Sequence, residues 1–334
     1  MRRLTTSLSA NLIVSLIAGL SVALIVILIV AAVAVHAQEQ ATLYLFAVDQ
    51  KGVPVLDLPA SDITIKEDVG ASTIRSVRRF GWPMKVTVLL DNGPRTSDAL
   101  VHYRTGLRKF FAGLPPGIPV SLIATSPQPR WLFRETTDKV QIEKGIGLIT
   151  IDETLGRFSD ALGEYAARLD NDFRNVSIEQ MPPYLPVLVS IATTDQDGSD
   201  VRRESNLKMI LSLRKHLAWT TMIMVAPGRP PAATLGVPDT TFDEGQNAEI
   251  AKAVQEATRG GYVPITGSGT SALSSALLPE LAQAIARRHI RQMTQHRIVL
   301  DRPAGAKGPM KNFALSLSNH PGAKIVVSTD GNIP

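Results

Sequence analysis

The 334-residue chain has no cysteine, only 5% aromatic residues and no long block of one charge sign. Without thiols, a disulfide framework, a thiolate zinc site, an iron–sulfur cluster and a cysteine nucleophile are all excluded. The 35 Lys+Arg are interleaved with 30 Asp+Glu, and a net charge of +5 leaves no basic stripe, so no nucleic-acid partner is expected. The phosphate-loop ending Gly-Lys-Ser/Thr, the zinc signature His-Glu-x-x-His and the nucleophile elbow Gly-x-Ser-x-Gly are also missing. Gly267-Ser268-Gly269-Thr270-Ser271 fits none of them and reads as a loop before a helix starting near Ala276. The six histidines show no ligand spacing, and His102 and His216 fall on amphipathic helices, where a solvated or capping role is expected. Arg287, Arg288, His289, Arg291, His296 and Arg297 form the one basic cluster, read as the wet face of a helix. No catalytic residue is assigned, and no enzyme activity is expected.

What is present begins with an apolar run. Arg2 and Arg3 precede the almost wholly apolar Leu12–Val35, which ends in the small-x-small pattern Val35-His36-Ala37. Residues 1–37 read either as a cleaved signal peptide or as a membrane anchor spanning 12–35. Both readings export the remainder, to a periplasmic or extracellular location or tethered to the inner membrane, with the membrane as a partner if the segment is kept. Cleavage after Ala37 would remove the two arginines and leave a charge of +3. The remaining chain divides by pattern into a β-rich segment over 38–81, an α/β domain over 82–294 and a second β-rich segment over 295–334.

Periodicity supplies the elements. Thr42–Val48, Asp62–Lys66 and Ser72–Phe80 read as strands, the last two with alternating apolar residues. Val86–Leu90, Val120–Ala124, Leu185–Ala192 and Thr220–Val225 are continuous apolar strands, followed by a short one over Tyr262–Ile265. Between them lie helical patterns: Leu100 to Phe111, Asp138–Ile146, Ser159–Leu169, Asn206–His216, Ala248–Thr258 and Leu277–Met293. Arg297–Leu300, Phe313–Leu317 and Lys324–Val327 return to strands. Alternating strands and helices predict an α/β fold with a mainly parallel sheet covered on both faces. The terminal β segments are expected to form a small unit of their own. Ligands on such sheets bind at the carboxyl ends of the strands, which selects the loops Asp91–Asp98, Thr150–Ser159 and Thr193–Asp200.

An ordered set of segments resembles von Willebrand factor type A domains, in particular the exported von Willebrand factor A-related proteins of acidobacteria. The set runs from Phe46–Val55, Leu58 and Asp62–Asp68 through the strand ending in Asp91. It continues with Thr137-Asp138, Ser159-Asp160-Ala161-Leu162, Arg259-Gly260-Gly261-Tyr262, the long final helix and the terminal β pieces. The resemblance implies a Rossmann-like domain holding Mg²⁺ or Mn²⁺ in a metal-ion-dependent adhesion site. That site is built from Asp-x-Ser-x-Ser, a threonine from a second loop and an aspartate from a third, oxygen ligands suited to hard cations. Here Asp91 stands in the first position, but Gly93 and Arg95 replace the serines. Counting back from Asp160 puts Gly156 or Arg157 where the threonine belongs, with Thr154 and Thr150 nearby; Asp195 matches the last aspartate, with Asp197 as the alternative.

The metal site is therefore expected to be degenerate, with Asp91 and Asp195 as vestigial ligands, Arg95 pairing Asp91 in place of a cation, and no cofactor. The implied function is a protein–protein interaction or adhesion module that works without metal. Its partner-binding residues would be Asp91, Arg95, Thr96, Thr154, Asp195 and Asp197. The competing expectations are a hydrolase or nucleotide-binding enzyme on the same sheet, and a structural component of the envelope.

Overall fold

The computed structural model describes residues 39–176, 182–194, 197–200, 203–226, 245–266 and 269–333. The expected leader over 1–37 lies outside the described residues, and so does Asp195. Among the described residues no helix is long and apolar enough to cross a membrane. The expected membrane anchor over 12–35, and with it the membrane partner and inner-membrane location, therefore finds no support in the described residues, which do not include that segment.

The chain forms two compact units, one holding residues up to Arg79 together with His296–Thr329, the other Phe80–Gln295 with the last residues of the chain. In the first, β1 (Gln40–Val48) pairs antiparallel with both β11 (Gln295–Asp301) and β13 (Lys324–Ser328), so N- and C-terminal strands share one sheet. The edge strand on its other side is β4 (Thr73–Phe80). A second, three-stranded sheet places β2 (Ile63–Glu67) between β12 (Phe313–Leu317) and the two-residue β3 (Gly70–Ala71). Alternation explains the core: Leu43, Leu45 and Ala47 of β1 meet Ile63 and Ile65 of β2 and Ile298 and Leu300 of β11.

Several charged groups lie inside this unit, Asp62, Asp301 and Arg302 among them. Arg302 is 4% exposed, and its Nη2 donates to Glu67 Oε2 at 2.6 Å while Nη1 donates to Glu39 Oε2 at 3.1 Å. Glu67 precedes the turn to β3 and Glu39 precedes β1, so one guanidinium ties together both sheets and both ends of the unit.

The second unit is a six-stranded sheet in the order β10-β9-β8-β5-β6-β7. Its strands are β5 (Met84–Leu90), β6 (Val120–Ala124), β7 (Arg130–Thr136), β8 (Leu185–Thr193), β9 (Trp219–Val225) and β10 (Gly261–Ile265). Four neighbouring pairs are parallel and one, β6 with β7, is antiparallel, so the sheet is mixed: parallel as expected except at its β7 edge. Strand β7 escapes sequence reading for a physical reason. Its pairing with β6 shifts register twice between Val120 and Ile123, and Glu135 has φ +44°, so Arg130–Thr136 lacks strict alternation.

Helices cover both faces. Met84, Val86, Val88 and Leu90 of β5 pack against Tyr103, Leu107 and Phe110 of α1 (Leu100–Gly113) and Leu278, Ala282 and Ile285 of α6 (Leu278–Met293). On the other face Leu89, Leu188 and Met222 meet α3 (Phe158–Asp172), α4 (Arg203–Lys215) and α5 (Gln246–Thr258) through Leu162, Leu213 and Val254. A shorter α2 (Lys139–Gly147) follows β7. Two histidine readings change. His216 is 5% exposed, with Nε2 2.6 Å from Asp170 Oδ1, because the chain turns inward after α4. The basic cluster is not one wet face: His296 is buried, and Arg288 stacks over the Trp219 ring at 4.8 Å, where burial brings its pKa down to about 10.

Truncating Arg302 strands the Glu67 carboxylate in the interior, a loss on the order of 3–5 kcal/mol. Arg302→Ala should lower the denaturation midpoint of the β unit accordingly, whereas Arg302→Lys, which keeps the charge but loses the fork, should fall between.

Candidate functional site

Chain order and strand order diverge between β5 and β8. From β5 the sheet grows outward through β6 and β7 on one side, and through β8, β9 and β10 on the other. The crevice at the carboxyl ends of β5 and β8 is thus the topological switch point, where ligands of open α/β sheets bind. Asp91 sits there, one residue beyond β5, and is 3% exposed.

A carboxylate so buried needs donors. Oδ1 accepts the Gly93 N–H at 2.9 Å; Oδ2 accepts the Thr193 hydroxyl at 2.8 Å and the Thr193 N–H at 3.2 Å. The donors are neutral and come from the loop itself and from the end of β8, so the Arg95 guanidinium is not what holds Asp91; Arg95 is exposed. The Asp91 charge is felt below: burial first, then Asp91, pushes the Tyr103 phenol above its usual range.

Glycine backbones close the space above the carboxylate. A Cβ placed on Gly156 would fall inside contact distance of Asp91 Oδ1, with Asp91 Cγ at 2.8 Å and Thr125 Oγ1 at 2.9 Å. One on Gly93 would lie 3.2 Å from Asp91 Oδ1, from Gly156 N and from Thr154 O. The Gly156 carbonyl in turn accepts the Gly198 N–H at 2.9 Å. Three loops therefore meet backbone to backbone, which side chains at these positions would prevent.

Asn92, wholly buried, fastens the same loops. Its Nδ2 donates to Thr150 O at 2.9 Å and Ser126 O at 3.3 Å, its Oδ1 accepts the Ser126 N–H at 2.9 Å, and its carbonyl accepts the Asp152 N–H at 2.8 Å. Thr96, 2% exposed, turns its hydroxyl back onto Gly93 O at 2.7 Å and starts the tight turn Pro94–Ala99. Thr154 is exposed and bonds Asp152 Oδ1 at 2.7 Å, away from Asp91. Asp197 caps α3 from the third loop: its carboxylate accepts the Phe158 and Ser159 N–H groups at 2.9 and 3.1 Å and the Ser199 hydroxyl at 2.7 Å. Arg157 then bridges Asp160 at 3.2 Å and Asp200 at 2.7 Å.

Of the residues chosen from sequence, Asp91, Thr96 and Asp197 lie in this knot as buried or capping groups, and Arg95 and Thr154 lie on its rim. Sequence reading missed Asn92 and Thr193. Thr193 precedes the Thr194-Asp195 pair that drew attention, and Asn92 directly follows Asp91, but neither has a spacing that marks it.

The described residues do not fit a divalent cation. Mg²⁺ requires near-octahedral oxygens at about 2.0–2.1 Å and retains waters, whereas Asp91 meets N–H and O–H donors and the Gly156 backbone. Gly93 brings no side-chain oxygen. Among the described residues no three His, Cys, Asp or Glu side chains come together in a group that could hold a metal ion.

No family model matches the chain, and no curated protein matches it. Among solved structures it is similar to a von Willebrand factor type A protein from Catenulispora acidiphila, at 9% identity and a TM-score of 0.46, covering 87% of this chain and 72% of that one. It is also similar to the conserved hypothetical protein BatB from Bacteroides thetaiotaomicron, at 14% identity and 0.41, covering 63% and 98%. A third is proximal thread matrix protein 1 from the mussel byssus, at 13% and 0.42, covering 69% and 50%. At these scores nothing about this chain rests on the likeness; its topology is read from its own strand pairing.

Two outcomes follow from the geometry. Gly156→Ala forces a methyl into the Asp91 carboxylate and should lower stability by roughly 1–3 kcal/mol, read as a drop in melting temperature. Glu164, one turn beyond Asp160 on α3, has its carboxyl held above the usual range by burial and then by Asp160. It binds its proton more tightly folded than unfolded, so its destabilising effect is fully present above the raised pKa and is relieved as pH falls below the ordinary carboxylate value. Because Glu164 is largely exposed and solvent screens its charge, Glu164→Gln should melt only slightly above wild type at neutral pH, and the difference should vanish in an acid series.

Proposed function

We propose that the chain is a von Willebrand A-like protein-interaction module whose loop surface works without a divalent cation. The carrying observation is the Asp91 carboxylate, sealed by Gly93, Thr193 and the Gly156 backbone at the switch point. A carboxylate committed to internal donors cannot take a metal that bridges to a partner. Recognition then falls to the rim, where Pro94, Arg95, Ser97, Asp98 and Thr154 are exposed and Leu155 is 42% exposed. Such a rim offers both charge signs and one apolar anchor, the composition of a specific but polar contact. Asp195 is part of this reading on sequence grounds. The acidobacterial subgroup likewise rests on the sequence resemblance.

A catalytic reading has less support. The chain has no cysteine, and the Asp91 carboxylate and the Asn92 amide at the switch point are committed to neighbouring groups rather than aimed outward.

The melting temperature should be the same in EDTA as in millimolar Mg²⁺ or Mn²⁺. A cation-dependent rise that Asp91→Ala abolishes would overturn the proposal. A bound partner should stay on the protein in EDTA and be released by Arg95→Glu.

A further inference from the structure

A cavity of about 430 Å³ opens beside the knot, between the first turns of α3 and α4. Its walls include Arg157, Ser159, Asp160, Glu164, Asn206 and Met209. Ser159 is 2% exposed, and its hydroxyl has no hydrogen-bond partner; the buried Asn206 Oδ1 has none either. Native interiors rarely leave such atoms unsatisfied: Asn206 Oδ1 asks for a donor, and the Ser159 hydroxyl is free to accept one as well as to donate. Glu164 makes no ion pair with any described residue, and Arg157, the one cation among the described residues of the wall, is already spent on Asp160 and Asp200. Burial, with Asp197 and Asp200 nearby, raises the Asp160 carboxyl despite Arg157. Both unsatisfied groups can accept a hydrogen bond, and among the described residues of the wall the surplus charge is negative.

Resting on the interaction-module reading above, the geometry points to this cavity as the seat for the cationic end of a partner's lysine or arginine side chain. The ammonium or guanidinium would donate to Glu164, the Ser159 hydroxyl and Asn206 Oδ1, and Met209 would pack on the alkyl stem, as long basic side chains require. A metal ion is disfavoured by the Arg157 guanidinium 3.2 Å from Asp160. The polarity is the reverse of a cation site that captures a partner's carboxylate: here the module supplies the anions and the partner the positive charge.

The test is a titration of the isotope-labelled full chain, followed at the backbone amides of residues 157–164 and 205–209. The probes are n-butylammonium, butylguanidinium and a lysine-bearing tripeptide, with butyrate as the charge-reversed control. Saturable shifts are expected with all three cationic probes and not with butyrate, weakened about tenfold by Glu164→Gln. That variant is predicted to be more stable, so lost binding would not reflect unfolding. Ser159→Ala should also weaken binding; if its hydroxyl is merely an orphan, the substitution leaves the titration unchanged and counts against the site. Absence of saturable shifts, or equal shifts with butyrate, overturns the proposal; binding of the small amines without the tripeptide overturns it in favour of a small-amine site. A Mn²⁺ effect at Asp91 with intact amine binding would instead remove only the metal-independence of the module, so the two readings fail separately.

Discussion

A buried carboxylate must be compensated, and at the switch point of this sheet the compensation is entirely internal. Asp91 receives two backbone N–H groups and one hydroxyl. Those donors reach it only if Gly93 turns back toward its own neighbour and the end of β8 lies directly alongside. Gly156 can then lie flat over the carboxylate because it has no side chain. With the three loops drawn together, the Asn92 side-chain amide meets the peptide groups of Ser126 and Thr150, and the Asn92 carbonyl accepts the Asp152 N–H. The arrangement is cooperative in the sense that each bond fixes the geometry needed by the next.

Charge is handled in two ways around this knot. At its centre the negative charge is dissipated into neutral dipoles, and among the described residues no group of side chains could hold a metal ion. At its edge Asp197 is spent on the N-terminus of α3, where unsatisfied N–H groups and the helix dipole favour an anion. Asp160 then keeps Arg157 as its partner, while Glu164 on the same helix has no ion pair among the described residues. A sealed centre and an acidic, donor-poor cavity are thus two consequences of how one set of carboxylates is distributed over one set of loops.

Much of the fold was legible in the sequence. The apolar strands Val120–Ala124 and Phe313–Leu317 have the ends that the residue pattern marks, since burial on one or both faces leaves a clear periodicity. Strand β7 was not legible, because a register irregularity and the left-handed Glu135 erase its alternation. His216 sits near the end of an amphipathic helix, where periodicity cannot say that the chain then turns its imidazole under Phe173. At the site, Asp91 announced itself by following an apolar strand. Arg95 looked like the charge that would pair with it, yet Thr193 and Gly93 hold the carboxylate.

The sequence by itself determined that the chain alternates strands and helices between two β-rich ends, carries no thiol chemistry, and puts an aspartate where such a sheet binds ligands. These are local properties, written in residue type and period. Only the tertiary structure decided that Asp91 is closed off, that Asp197 caps a helix begun some forty residues earlier in the chain, and that Ser159 and Asn206 face one cavity from two helices. Those facts depend on which loops meet in space, and a contact between segments so far apart in the chain leaves no periodic trace in either of them.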